Sequence, residues 1–493
     1  MAVKIPERIA VRDKYTGEVL GEIQADNVES LREKIKVAYS NKDKLRSKSL
    51  DERVEFIRKL GRRIRFARNQ LTELIAREGG LPIKYANWEV SMIAQGYLHA
   101  DMRAELYLEE RELQAVRGKS YAVYHPLGVC AAMTPRNTPL SLNGWAVGAC
   151  WLTGNSILIK PSTAVPLTTL KLLEMAEEVN SEFPVESAQP VVTPGAFAVQ
   201  EFIHNPMIDV ILFFGSSHVG KKLLVDYAEY LKTTIKDLSF AGGFMINGKF
   251  KMFILEMAGN DAGIITDDVD VEKVADYTVK AAYTNSGQQC FSMKRILVHK
   301  DVYDEFVEAM MAKMDDLKMG NPLDPQTDIG PLGSEKILTL IDYMVKDAVE
   351  KGGKLLKGGE KEPPFYQPTL IEFEKEKILG AEASQKPFMW VEEAFGPARS
   401  IVKYETEEEA IRLANDTNYG MRASIYCHDV QRARRIAQQL ETGGIMINTK
   451  PSVVDISVLM GGVKDTAYPP GAHDIVPLLV WQQYIHVDNA LSE

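Results

Sequence analysis

From about residue 120 onward, short apolar runs alternate with amphipathic stretches of helical period. This alternation restricts the fold more than any other feature of the chain. Leu127–Met133, Ser156–Ile159, Val191–Val192, Val210–Phe214 and Phe253–Leu255 read as strands buried on both faces. Thr168–Val179 and Val271–Asn285 supply helices between or after them. Such alternation predicts an α/β architecture with a largely parallel sheet. A second α/β series runs from Arg295 to Asn448. Ahead of both, RIAVRD and VLGEIQ flank Tyr15-Thr16-Gly17 as a hairpin. Ser49-Leu50-Asp51-Glu52 is a capping box, followed by Val54, Ile57, Leu60 and Ile64 at helical spacing. The next helical run stops at Gly79-Gly80. Trp481–Val487 reads as a lone strand whose partner is expected elsewhere, often in another subunit. KGGKLLKGGE, residues 351–360, reads as a short strand between glycine turns and not as a phosphate loop.

Composition narrows the function classes. The chain has 493 residues, enough for roughly two to four domains. A net charge of −10 argues against a polyanion-binding surface, so no nucleic acid is expected. The four cysteines, Cys130, Cys150, Cys290 and Cys427, are widely spaced and include no Cys-x-x-Cys pair, which fits a reducing cytoplasm. The start, MAVKIPERIA, lacks the long apolar run of a secretory leader. No apolar run reaches the ~18 residues of a membrane span. The eight histidines show no metal-ligand spacing, and no metal is expected.

Two positions carry candidate chemistry. Asn285-Ser286-Gly287-Gln288-Gln289-Cys290 follows a helical run and precedes the apolar strand Arg295–Val298. A tight turn there presents a thiol to a cleft, where it serves as a nucleophile once ionised. A lone cysteine equally suits a small buried hydrophobe. Glu256 directly follows a short apolar strand, the place where open α/β sheets bind ligands. It reads either as a general base or as a solvated strand end. A rival motif is Gly215-Ser216-Ser217-His218-Val219-Gly220-Lys221-Lys222, one residue short of a Walker A loop. Lys222 stands where the Mg²⁺-holding hydroxyl belongs, which weakens a P-loop reading.

With these segments, Thr134-Pro135-Arg136-Asn137-Thr138-Pro139-Leu140, Gly154-Asn155, Ile159-Lys160-Pro161-Ser162 and Glu392-Glu393-Ala394-Phe395-Gly396-Pro397 follow in order. Together they resemble the aldehyde dehydrogenase superfamily from about residue 10 to residue 465. The resemblance implies two Rossmann-like open-sheet domains and a small β oligomerisation arm. The implied division is 1–107 and 127–255 for the cofactor, 256–450 for catalysis, and 108–126 with 472–493 for the arm. It implies a homodimer or homotetramer acting on a small-molecule aldehyde.

Residue by residue, the resemblance implies Cys290 as nucleophile, Asn137 as oxyanion ligand and Glu256 as general base. It implies a cofactor site from Thr134, Pro135, Lys160, Ser162, Thr163, Gly195, Gly215, Ser216, Glu393 and Phe395. It implies a substrate pocket from Thr138, Leu142, Trp145, Thr284, Gln289, Phe291 and Met460. The reaction implied is NAD(P)⁺-dependent oxidation through a Cys290 thioester, hydrolysed by water. Relatives that acylate coenzyme A generally lack the glutamate, so Glu256 favours water. Thr163 stands where an NAD⁺-selecting glutamate is common, so NADP⁺ is the preferred cofactor and NAD⁺ the alternative. Gln289 supplies no clamp for a phosphorylated aldehyde, which leans the substrate toward glyceraldehyde-like or short aliphatic aldehydes. The chain departs from the family pattern at Arg136, at Met257-Ala258, in an extra loop near Phe240–Lys249, and at Asp465–Pro470.

Overall fold

The computed structural model describes residues 5–180, 182–238, 243–246, 250–450, 461–471 and 474–488. The apolar runs gather into two open sheets. The first has six strands, in the order Ala467–Tyr468, Met252–Glu256, Val210–Phe214, Val129–Met133, Ser156–Lys160 and Ala188–Pro190. All pair parallel except Ala467–Tyr468, which joins antiparallel beside Glu256. The second has seven, in the order Lys354–Lys357, Thr369–Phe373, Ala398–Tyr404, Met293–His299, Asp261–Ile265, Arg422–Tyr426 and Gly444–Ile447. There only Lys354–Lys357 is antiparallel. Every residue of Val210–Phe214 and of Met293–His299 is buried, because helices cover both faces. The chain leaves the first sheet at Glu256 and enters the second at Asp261. The short link Met257–Asn260 therefore lies where the two sheets meet.

The helices start and stop for local reasons. Ser49 Oγ accepts from Glu52 N at 3.2 Å, and the Glu52 carboxylate accepts from Ser49 N at 2.7 Å. This box opens Leu50–Phe66, whose Val54, Ile57, Leu60 and Ile64 are buried. Each such side chain contributes on the order of 1.5–3 kcal/mol. Helix Arg68–Gly79 ends at Gly80, which adopts φ 74°. Helix Val271–Tyr283 is capped by Asp270 and delivers the chain to the turn before Cys290.

The structure sharpens three expectations. The strand near Val191 is Ala188–Pro190; Val191 still donates to Ile159 O at 2.8 Å, but Pro190 brings no N–H to the ladder. The C-terminal strand Val480–Val487 finds a partner within its own chain. It pairs antiparallel with Lys119–Pro126, whose other edge is taken by Arg111–Leu113. The expected loop near 240–249 includes half of a hairpin, Ile235–Leu238 against Gly243–Ile246. Phe240 and Lys249 themselves lie outside the described residues. Among the described residues no helix is long and apolar enough to cross a membrane.

Candidate active site

A cavity of about 370 Å³ opens where the sheets meet, and Cys290, Glu256 and Asn137 all line it. Cys290 is positioned by an unusual turn. Asn285, Ser286 and Gly287 have φ of 54°, 55° and 68°, so three successive residues are left-handed. For non-glycine residues this conformation costs about 1–3 kcal/mol each unless neighbours hold it. They do: Asn285 Nδ2 donates to Asn137 O at 3.2 Å, and Ser286 Oγ donates to Gly330 O at 2.9 Å. A Cβ on Gly287 would collide with Gly396 O and the Arg399 guanidinium, so only glycine fits there. Arg399 is buried and donates to Gly396 O and Ala398 O, each at 2.7 Å, to Ala282 O at 2.9 Å and to Gly287 O at 3.3 Å. It thereby ties the Cys290 turn to the segment that carries Glu393.

Glu256 ends the strand Met252–Glu256 and pairs with Phe214 on one side and Ala467 on the other. The divergent segment after Lys464 makes the second pairing. Thr466 O accepts from Met257 N at 2.7 Å, and Thr466 Oγ1 donates to Ala258 O at 2.8 Å. Burial raises the Glu256 carboxyl to about 7, against the opposing pull of Arg422. Burial also pushes the Cys290 thiol up; Glu256 adds to that, and Lys294 opposes it. Asn137 is buried, and its Oδ1 has no hydrogen-bond partner among the described residues.

The expected cofactor residues divide. Pro135, Gly215, Ser216, Glu393 and Phe395 line the cavity with Cys290. Gly215 N donates to Glu256 O at 3.1 Å, and Ser216 Oγ accepts from Val219 N at 3.4 Å at the start of helix Ser217–Thr234. Lys160 is buried at the end of its strand, donates to Pro161 O at 3.0 Å, and has its ammonium lowered to about 8 by burial. Ser162 Oγ accepts from Ala164 N at 3.3 Å. Thr163 lies in the turn after it. It does not cap the next helix, whose N-cap is Pro166. Gly195 opens helix Gly195–His204. Thr134 Oγ1 is engaged with Asn143 Oδ1 at 2.7 Å.

Of the expected substrate residues that are described, only Leu142 lines the main cavity. Trp145 packs on Phe214, with ring centroids 5.9 Å apart. Thr138 and Gln289 are buried, and Phe291 lies under the Arg422 guanidinium. Thr284 donates to Lys280 O at 2.6 Å and borders a separate cavity of about 110 Å³ with Tyr85 and Asn285. Met460 lies outside the described residues. The P-loop reading loses its lysine, because Lys221 Nζ is paired with Asp465 at 2.5 Å. Arg136 is half-buried against Gly333 and donates to Gln288 Oε1.

Sequence reasoning missed the buried cations Lys294, Arg295 and Arg399 and the carboxylate Asp261. Their signal was a charge inside an otherwise apolar strand, as in MKRILVH and ARSIVKY. It also missed a surface group in which the fold brings Asp267 beside His299 and Asp301. Asp267 there already pairs with Arg432 at 2.6 Å.

The family's own pattern covers this chain almost end to end. The model of the aldehyde dehydrogenase family matches residues 2–474. The chain belongs to the aldehyde dehydrogenase family. It is similar to a lactaldehyde dehydrogenase from Methanococcus maripaludis, 30% identical over 93% of this chain and 92% of the relative. A 3-sulfolactaldehyde dehydrogenase from Priestia aryabhattai is also 30% identical, over 93% of this chain and 90% of its own. Among solved structures, a glyceraldehyde-3-phosphate dehydrogenase from Methanocaldococcus jannaschii complexed with NADP has a TM-score of 0.86 at 26% identity. That likeness covers 98% of this chain and 99% of the other. The fold is therefore the α/β aldehyde dehydrogenase fold, and the chain is an aldehyde-oxidising enzyme.

Proposed function

We propose that the chain oxidises a short 2-hydroxyaldehyde to its carboxylic acid with a nicotinamide cofactor, NADP⁺ in preference to NAD⁺. The observation that carries this reading is that Cys290, Glu256 and Asn137 share one cavity with Gly215, Ser216 and Glu393. As thiolate, Cys290 Sγ adds to the carbonyl carbon, and negative charge moves to the carbonyl oxygen. The Asn137 amide N–H and the Cys290 backbone N–H receive that oxyanion; such a donor is worth about 2.7–4 kcal/mol of barrier. A nicotinamide cofactor, when bound, supplies the hydride acceptor that converts the thiohemiacetal to a thioester. Glu256 then takes a proton from water, which attacks the thioester and frees Cys290 as the acid leaves. A carboxylate near 7 is matched to that task at neutral pH.

The residues present fit the cofactor. Ser216 heads the 18-residue helix Ser217–Thr234, whose first N–H groups favour an anionic pyrophosphate. Lys160 Nζ bonds only a carbonyl among the described residues, which leaves it donors for a ribose or a phosphate. Thr134, Pro135, Ser162, Thr163, Gly195, Glu393 and Phe395 complete the site. Ser162 and Thr163 are neutral donors and do not repel a 2′-phosphate.

The three relatives are named for three-carbon aldehydes that share a 2-hydroxyl and differ in the group on the third carbon. No Lys or Arg lines the described part of the cavity. Among the described lining residues a phosphate or sulfonate finds no cation, which favours an unphosphorylated substrate. We also infer the division into 1–107 with 127–255 for the cofactor, 256–450 for catalysis, and 108–126 with 472–493 as an arm. Exposed Trp481, Tyr484, Ile485 and Val487 on that arm support a homodimer or homotetramer. Free cysteines support a cytoplasmic setting.

The test is Cys290→Ala assayed against an aldehyde panel with both cofactors. Oxidation should be lost while cofactor binding, followed by fluorescence, persists. Retention of more than a few per cent of turnover would remove Cys290 as nucleophile.

A further inference from the structure

Lys294 is a charged residue in a strand whose every member is buried, and its side chain is fully enclosed. Its ammonium has three protons and finds three good acceptors. Nζ donates to Cys290 O at 2.5 Å, to Gln289 O at 2.9 Å and to Glu393 Oε1 at 3.1 Å. Ser292 O stands further off, at 3.4 Å. Glu393 Oε1 also accepts from Gly259 N at 3.2 Å, three residues beyond Glu256. Gly259 is itself pressed against the nucleophile's peptide, since a Cβ there would lie 2.6 Å from Cys290 O. One cation thus joins the peptide of the thiol residue, a carboxylate on the cavity wall and the link that follows Glu256.

We propose that Lys294 is a positioning residue that fixes the Cys290 peptide and Glu393 in one register and supplies the positive field that lets Cys290 ionise. This rests on the reading of Cys290 as nucleophile and Glu393 as cofactor ligand. The groups that face the thiol are otherwise mostly acidic. Glu256 comes from the first sheet, Asp261 from the adjacent strand and Glu393 from the segment before Ala398–Tyr404. Arg422 is the second cation facing Cys290, and Tyr85 approaches it from helix Ile83–Leu98. With Lys294 neutralised, three carboxyl groups would face the thiol with Arg422 alone opposing them. With both Gln289 O and Cys290 O released, the turn would also lose its anchor to Glu393. An arginine keeps the charge but carries it on a larger planar group.

The experiment measures alkylation of Cys290 by iodoacetamide in cofactor-free protein, read on the Cys290 peptide by mass spectrometry across pH 6–11. Lys294→Met should move the midpoint of the rate profile up by at least one pH unit. It should also weaken NADP⁺ binding, followed by fluorescence, at least tenfold. Lys294→Arg should keep the midpoint within half a unit of wild type. Should Lys294→Met fold poorly because Glu393 is left buried and unpaired, Lys294→Met/Glu393→Gln removes that charge and must still show a raised midpoint relative to Glu393→Gln alone. A wild-type midpoint in Lys294→Met, or an unshifted one in the double variant, overturns the proposal. Failure of the nucleophile reading is distinguishable, because it appears as activity surviving Cys290→Ala.

Discussion

Glu256→Gln should make the protein more stable and nearly inactive, and the size of the first effect follows from burial. The carboxyl ordinarily titrates at 4.5 and is raised to about 7 in the fold, chiefly by desolvation. Between those values the unfolded chain has released this proton while the folded chain still holds it. Folding stability contributed by this group therefore falls as pH rises from 4.5 to about 7, and stays low above that. The difference corresponds to about 3 kcal/mol, at ~1.4 kcal/mol per pH unit. Glutamine has the same shape and never ionises, so its advantage should be near zero at pH 4.5 and fully developed by pH 8. Thermal unfolding of cofactor-free wild type and Glu256→Gln at both pH values reads this directly. A gain on the order of 5 °C is expected at pH 8 and almost none at pH 4.5. An equal gap at both pH values would refute the burial argument, and so would a glutamine variant less stable than wild type at pH 8.

In the proposed mechanism the same carboxylate sets the rate. Below about 7 it is protonated and cannot accept a proton from water, so steady-state turnover in wild type should rise with pH through that region. Hydride transfer should lack that limb, because only hydrolysis of the thioester requires the base. In Glu256→Gln, rapid mixing should show a burst of reduced cofactor followed by turnover slowed by about 10²–10⁴-fold. Loss of the burst, with Cys290 still reactive, would place Glu256 in the first half-reaction.

Two predictions concern selectivity. Thr163→Glu should raise KM for NADP⁺ far more than for NAD⁺, by about 1–3 kcal/mol in relative binding. The change costs no helix cap, since Pro166 holds that position, and a wild-type enzyme more efficient with NAD⁺ would contradict it. Glyceraldehyde or lactaldehyde should be oxidised with higher kcat/KM than glyceraldehyde 3-phosphate; a strong preference for the phosphate would mean that a cation reaches the substrate.

What the sequence discloses here is what periodicity and local chemistry encode. The buried strands, the Ser49 capping box and the Gly80 stop are visible because each is decided by residues a few positions apart. Cys290, Glu256 and Asn137 were legible through their resemblance to a family pattern, and all three reach one cavity. The strand Ala467–Tyr468 was not legible. Two residues carry no period, and the hydrogen bonds that pair them with Leu255 and Glu256 come from the backbone. The C-terminal strand showed its own pattern but not its partner, because any free sheet edge offers the same N–H and C=O groups. Lys294, Arg295 and Arg399 were hidden for a different reason. A cation in an apolar strand looks like an interruption until the carbonyls that satisfy it are known; those lie in the irregular turns just before Lys294 and Arg399 and in distant segments at Asn260 and Ala282.

The substrate pocket shows most clearly how far spacing reaches. Thr284 lies only six residues before Cys290, yet it borders a different cavity. Between them the backbone takes three consecutive left-handed residues, each reversing the usual sense of the chain. A side chain's facing cannot be propagated across such a turn by counting, as it can along a helix or a strand. The turn itself is held from outside, by Asn137 O, Gly330 O and the Arg399 guanidinium. Which residues meet the aldehyde is therefore decided by contacts that converge on the turn from elsewhere in the chain, and a residue's distance from Cys290 in sequence does not measure its distance from the reacting carbon.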